Sequence, residues 1–214
     1  MENNDTKLNP GIIMKSMDFL YEKSLNGIPY VLSSAERLAE DYLKDDSKSL
    51  FDKAWSLVHR QELKTGTAGF ITGLGGLITL PIAVPADVSA QLLVNMGMTA
   101  AIAYMGGYDL YSDQTKTSVY MTIAGMSVVD IAKRFGISLS YKVGEKLITK
   151  IPGKIIIEIN KLVGFRLLTK FGTKGLINLV KLVPFLGGVV GGAVDVGGTH
   201  YIGSIAIKNF IKKT

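Results

Sequence analysis

The apolar and polar positions of the first 64 residues follow the spacing of three amphipathic helices. Gly27 and Pro29 end the first helix. The second begins at Ser33, which has Glu36 three residues later, the spacing of a capping box. The third is predicted over about 49–64. The apolar positions of these helices are Met14, Met17, Phe19 to Tyr21, Leu38, Tyr42, Leu43, Phe51, Trp55 and Val58.

Beyond these helices the chain becomes apolar and rich in glycine, and Asp87 is the only charged residue between Lys64 and Asp109. We expect two helices joined at 81–85, where prolines interrupt the apolar run, and a glycine cap in the "GGYDLYSDQ" that follows. A further apolar helix is predicted over about 115–135. The uncharged run is long enough for a membrane span. Because prolines and polar residues interrupt it, we favour a hairpin that is buried or inserts conditionally.

A second Gly-rich apolar stretch, "VPFLGGVVGGAVDVGGTHYIG", carries the single acid Asp195 and weakly echoes the first. Glycines four residues apart let helix backbones approach closely, so we assign them to helix packing. A nucleotide-binding loop is excluded, since Ile78 stands where a third glycine is needed and no Gly-Lys-Ser/Thr follows. The predicted packing glycines are Gly69, Gly73, Gly76, Gly187, Gly188, Gly191 and Gly192.

No segment alternates with period two over any length, and "KIIIEI" at 154–159 is the only strand-like run. We therefore predict an all-α fold, a compact multi-helix bundle with two Gly-rich apolar hairpins. Residues 1–64 form an N-terminal helical part, continuous with a helical domain over 65–214. The 214 residues include no cysteine, which excludes disulfides and thiolate metal sites and favours a reducing cytoplasm. We find no secretory signal at the N-terminus.

Basic residues concentrate in one segment. The net charge of the chain is +6, whereas residues 141–181 alone hold nine basic and two acidic residues. Lysines recur there every four residues, although Pro152 must interrupt any single helix, and basic amphipathic segments are typical of anionic membrane surfaces. Nucleic acid is disfavoured because the aromatic residues show no stacking pattern. An ordinary solvated helix face is the alternative. The predicted membrane-binding residues are Lys142, Lys146, Lys150, Lys154, Arg166, Lys170 and Lys174.

Two blocks of the sequence resemble the bacterial EcsC family. The first, "TGLGGLITLPIAVPADVSAQLLVNMGMTAAIAYMGGYDL", has a Gly-rich apolar helix, a Pro-x-x-x-Pro-x-Asp turn and a terminal Gly-Tyr-Asp; the second is "VPFLGGVVGGAVDVGGTHYIGSIAIKNF". Together they bracket most of 65–210. The resemblance implies a cytoplasmic or membrane-associated protein and carries no established activity or catalytic residue. The residues that carry it are Gly73, Gly75, Gly76, Pro81, Pro85, Asp87, Gly107, Tyr108, Asp109, Pro184, Gly187, Gly188, Gly191, Gly192, Ala206 and Phe210.

Few residues suggest catalysis. If Pro85 is the first residue of a helix, Asp87 lies in its first turn, where a carboxylate accepts free backbone N–H groups. The alternative is a buried, ligand-facing or proton-handling acid, and Asp195, with no proline just before it, fits capping less well. The only histidines are His59 and His200, and the sequence shows no HExxH motif, no metal-ligand cluster at a recognisable spacing and no nucleophile elbow. We therefore predict no catalytic residue, cofactor or metal.

The leading hypothesis is a non-enzymatic EcsC-like protein, bound to anionic lipid on the cytoplasmic face of the cell membrane. It would support a transporter or peptide-export system, or protect against a membrane-active agent. One alternative is an immunity or interaction protein that binds a toxin or another protein partner. The other is a lipid-directed enzyme that uses Asp87, Asp195 or His200.

Overall fold

A computed structural model describes residues 9–67, 86–136, 148–171 and 189–212. Within these ranges the protein is an all-α bundle of eight α-helices, and an isolated bridge between Ile28 and Leu32 forms no strand. A 3-10 turn at Ile148–Lys150 precedes the seventh helix. The helices are α1 (Pro10–Asn26), α2 (Ala35–Leu43), α3 (Leu50–Thr65), α4 (Ala86–Met105), α5 (Asp113–Ile123), α6 (Val128–Arg134), α7 (Gly153–Phe171) and α8 (Val189–Phe210).

Serine caps fix where α2 and α3 begin. Ser49 caps α3, as the predicted boundary requires. At α2 the prediction is wrong by one residue, because Ser34 is the N-cap in place of Ser33. The Ser34 Oγ accepts the backbone N–H of Arg37 at 3.3 Å. Arg37 thus holds the position that a capping box gives to a glutamate, so Glu36 forms no such box.

The apolar run at 115–135 contains two helices where one was predicted. α5 ends at Ile123 and α6 begins at Val128. Between them, Gly125 has a φ of 73°, a left-handed conformation that ends a helix, and Ser127 caps α6. The turn after α4 is the glycine cap expected from the sequence, since Gly107 has a φ of 79°.

α4 lies at the centre of the bundle and is buried along most of its length. It packs against α1, α2, α3, α5 and α8, as a helix that is apolar on all sides must. Helices from before and after position 65 therefore share one hydrophobic core. Three polar side chains of α4 are buried with the apolar ones: Ser89, Asn95 and Thr99.

Close helix contacts occur at glycines between α3 and α8, which run antiparallel. A Cβ added at Gly203 would lie 2.6 Å from Val58 Cγ1, and one at Gly66 would lie 2.9 Å from Val196 Cγ2. The glycines that the sequence assigns to packing are not these. Gly69, Gly73, Gly76, Gly187 and Gly188 lie outside the described residues, and Gly191 and Gly192 belong to a part of α8 whose side-chain surroundings are not described.

None of the helices formed by the described ranges is both long and apolar enough to cross a membrane.

Candidate functional site

The fold brings the two histidines of the chain together on the surface where α8 packs against α3. His59 and Glu62 lie three residues apart on α3 and so project from the same face. His200 lies opposite them on α8, and one ligand atom from each of the three residues lies within 4.8 Å of the other two. The Nδ1 atom of His200 is 2.8 Å from Oε1 of Glu62. Both histidines are exposed, whereas only 14% of the Glu62 side chain is. We call these three residues the His–Glu–His cluster.

Trp55 lies one turn before His59 and stacks at an oblique angle against both imidazoles. Its ring centroid is 5.6 Å from that of His59 and 5.3 Å from that of His200, with interplanar angles of 30° and 35°. These contacts limit the orientations that either imidazole can take. Trp55 is the only tryptophan of the chain, so all tryptophan fluorescence comes from a residue in contact with this cluster.

A buried polar network lies next to the cluster and joins three helices. Thr65 Oγ1 of α3 is 3.1 Å from Thr199 Oγ1 of α8, and Gln91 Nε2 of α4 donates to Thr199 Oγ1 at 2.9 Å. Thr199 is fully buried. Because His200 is the next residue, this network holds the backbone that carries His200 against α3 and α4.

Of the candidate residues from the sequence, only His200 belongs to this cluster. The spacing of His59 and Glu62 on one helix face is the only local signal of it. Nothing in the sequence indicates that His200 meets them, since that contact depends on how α8 packs on α3.

A second candidate surface is the exposed side of α7, which we call the α7 face: Lys154, Ile157, Glu158, Lys161 and Phe165. Ile157 is 57% exposed and Phe165 is 59% exposed, and at 100° per residue they lie about 80° apart around the helix. Lys154 and Lys161 are exposed beside them, and the exposed Glu158 lies on the same side. Arg166 is also exposed, but it lies about 180° from Ile157 around the helix and is not part of this face. This face presents apolar and cationic side chains to solvent together.

The opposite side of α7 is anchored in the core. Ile159, Val163 and Leu167, spaced four residues apart, are buried. The strand-like run at 154–159 is therefore helical, because its isoleucines serve a helix with one buried face. α7 thus lies flat along the bundle, with the α7 face outward.

The other predicted basic residues are only partly described. Lys150 is exposed in the 3-10 turn, and Pro152 separates it from α7, so the lysines do not share one helix. Lys142, Lys146 and Lys174 lie outside the described residues, and the side chain of Lys170 is likewise not described. Lysine spacing alone identified neither the exposed apolar residues of α7 nor Lys161.

The two predicted acids both lie within helices. Asp87 is the second residue of α4, consistent with the predicted first turn, and Asp195 lies in α8. Their side chains are outside the described part of the structure. Their roles, as a cap or as a buried acid, therefore stay predictions.

Comparisons of this chain with known protein families, characterised proteins and solved structures found no match.

Proposed function

We propose that the protein is a non-enzymatic, membrane-associated helical protein that binds the anionic cytoplasmic face of the cell membrane. The observation that carries this proposal is the α7 face, where the exposed Ile157 and Phe165 lie beside the exposed Lys154 and Lys161. Helices that lie in a membrane interface combine an apolar surface with lysine and arginine in this way.

Both components of the α7 face would contribute to binding. A lysine or arginine close to an anionic bilayer contributes about 1 kcal/mol. Lys161 is 2.9 Å from Glu158, but both side chains are more than half exposed, and such ion pairs are weak in water. Full burial of an isoleucine or phenylalanine side chain contributes about 1.5–3 kcal/mol. Ile157 and Phe165 are each more than half exposed in the structure, so this surface is available for burial in the membrane interface. Together, the contributions of the basic and the apolar side chains favour reversible, peripheral binding to the membrane.

The resemblance to the EcsC family supports the same proposal, because it implies a cytoplasmic or membrane-associated protein. In this role the protein would support a transporter or protect the cell against a membrane-active agent.

Vesicle flotation tests the proposal. The full chain should float with vesicles that contain phosphatidylglycerol and stay in solution with pure phosphatidylcholine. Binding should weaken as salt is raised from 0.1 to 1 M, because the Debye length falls from about 10 Å to about 3 Å. The variants Ile157→Ser/Phe165→Ser and Lys154→Gln/Lys161→Gln should each bind more weakly.

Matched controls separate this face from general surface effects. Leu63→Ser removes an apolar side chain that is 76% exposed on α3. Lys44→Gln/Lys48→Gln removes two charges from the region that follows α2, where both lysines form exposed ion pairs like that of Lys161. Both controls should float like the wild type. If the charge control loses as much flotation as the α7 charge variant, the net charge of the protein explains binding, and a specific role for α7 is refuted.

A further inference from the structure

We propose that His59, Glu62 and His200 form a binding site for one divalent transition-metal ion of the zinc class. The one observation that carries this is the convergence of three ligand atoms from two helices within 4.8 Å of one another. Neither the membrane proposal nor the α7 face uses any of these residues.

The donor set suits such an ion. Imidazole nitrogens are common ligands of Zn²⁺, Ni²⁺ and Co²⁺, and two histidines with one carboxylate form a known three-residue zinc set that leaves a fourth position for water. Calcium and magnesium prefer sites made of oxygen alone. The absence of cysteine from the chain leaves nitrogen and oxygen donors as its strong ligands for such ions.

The distances are close to those of a metal site. With metal–ligand bonds of about 2.0–2.2 Å, the ligand atoms of a tetrahedral site lie about 3.4 Å apart. The 2.8 Å contact between His200 and Glu62 would widen, and the longer separations in the cluster would close. Both imidazoles are exposed, so rotation of these side chains can adjust the separations.

The surroundings hold the three residues in place. Along the seam between α3 and α8, the Val58–Gly203 contact lies on one side of the cluster and the Gly66–Val196 contact on the other. Glu62, which is largely buried, is the fixed member, and Trp55 restricts both rings from one side. A preorganised set of ligands loses less freedom on binding a metal than three unconstrained surface side chains.

The metal would cross-link α3 and α8. Since its ligands come from both helices, the site exists only when α8 is docked, and a ligand that binds only the folded state stabilises that state. The exposed side of the cluster leaves the fourth position open to water.

Metal titration of the full chain, expressed without a histidine tag and stripped with EDTA, tests the proposal. Zn²⁺ should bind in a 1:1 ratio and raise the melting temperature by roughly 5–10 °C at a hundredfold excess over Kd. Co²⁺ should give a visible absorption spectrum typical of nitrogen and oxygen ligands and should quench the fluorescence of Trp55. Both effects should reverse with EDTA.

Variants locate the site. His59→Gln and His200→Gln should each weaken Zn²⁺ binding by roughly a hundredfold or more, since even loss of an outer partner of a ligand costs about 10–100-fold. Glu62→Gln should also weaken it, whereas Glu22→Gln, an exposed carboxylate on α1, should bind like the wild type. Melting of each variant in EDTA shows whether it is folded, so loss of binding cannot be confused with loss of structure.

Two results would overturn the proposal. One is a wild-type protein whose melting temperature and Trp55 fluorescence do not respond to millimolar Zn²⁺ and Co²⁺; the cluster would then be a hydrogen-bonded pair beside a second histidine. The other is a His59→Gln/His200→Gln protein that binds Zn²⁺ as tightly as the wild type, which would place the metal elsewhere. All measurements are made without vesicles and are independent of membrane binding.

Discussion

The Nδ1 atom of His200 lies 2.8 Å from Oε1 of Glu62, a contact between residues that are 138 positions apart. It belongs to a seam between α3 and α8 that continues inward to the hydrogen bond between Thr65 and Thr199. The His200 side chain is 53% exposed, so its pair with Glu62 contributes at most about 1 kcal/mol to folding. The buried hydrogen bonds beside it should therefore contribute more to the stability of this seam.

We expect Thr199→Val to destabilise the protein by about 1–3 kcal/mol. Valine has nearly the same shape as threonine but lacks the hydroxyl that accepts from Gln91 and pairs with Thr65. Removing one partner of a buried hydrogen bond costs the desolvation of the group left behind. Urea denaturation measures the change. Thr169→Val, at an exposed position of α7, is the control and should change stability by less than about 0.5 kcal/mol. Equal effects at the two positions would contradict the network.

The second prediction concerns two buried tyrosines whose rings meet edge to face, with centroids 5.7 Å apart. The hydroxyl of Tyr21 donates to the carbonyl of Leu110 at 2.7 Å, and that of Tyr120 donates to the Asp18 carboxylate at 2.8 Å. Burial raises the pKa of both phenols far above the usual value, and the hydrogen bond to Asp18 raises that of Tyr120 further. Both groups should therefore stay protonated in the folded protein at high pH.

The raised pKa values set the direction of the pH dependence. In the unfolded chain these phenols lose their protons at about pH 10, whereas the folded state keeps them. The contribution of these two phenols to the free energy of unfolding is therefore fully present below pH 10 and decreases as the pH rises above it. Denaturation curves between pH 8 and pH 11, with phenolate absorbance as a second signal, measure this. Tyr120→Phe should flatten the decline. Phenolate formation by every tyrosine near pH 10, in a protein that stays folded, would refute the prediction.

The sequence predicted local structure well where caps and turn residues determine it. Gly27 ends α1 with a φ of 74°, and Ser49 caps the start of α3. The prediction failed at Gly125, because a single left-handed glycine inside an apolar run is not distinguishable from a glycine within a helix. It failed at α2 because two adjacent serines can each cap, and only the geometry selects Ser34.

The candidate surfaces were less predictable, because they depend on packing between distant segments. Lysine spacing indicated the region of α7 but not that Ile157 would remain exposed while Ile159 is buried. The periodicity of either helix could not reveal that His200 meets Glu62, since that contact depends on how α8 and α3 pack, with Gly203 against Val58.

The third prediction concerns Asp87, in the first turn of α4. If its carboxylate stabilises the start of that helix, Asp87→Asn should cost about 0.3–1 kcal/mol, because it keeps an acceptor and loses the charge. Asp87→Ala loses both and should cost about 0.5–2 kcal/mol. Both variants should still float with anionic vesicles. An Asp87→Asn protein that melts like the wild type but no longer binds vesicles would instead place Asp87 in a functional site.

The fourth prediction tests the close contact between α8 and α3. A Cβ at Gly203 would lie 2.6 Å from Val58 Cγ1, and Val58 is fully buried and β-branched, so it cannot turn away. Gly203→Ala should therefore destabilise the protein by about 1–3 kcal/mol, although alanine is the better helix former. Gly197 lies in the same helix but is exposed, with no atom within 4 Å of its added Cβ. Gly197→Ala should stabilise the protein by up to about 1 kcal/mol.

Introducing Val58→Ala together with Gly203→Ala tests whether contact with Val58 causes the destabilisation by Gly203→Ala. Val58→Ala alone leaves a cavity, but in the Gly203→Ala background the two methyl groups that Val58 loses make room for the new one. The double variant should then be more stable than the sum of the single changes predicts, by at least about 0.5 kcal/mol, the threshold for coupled sites. Strictly additive effects in urea denaturation would mean that the strain at Gly203 does not come from Val58. The seam would then owe its register to the Thr65–Thr199 hydrogen bond rather than to the fit of glycine against valine.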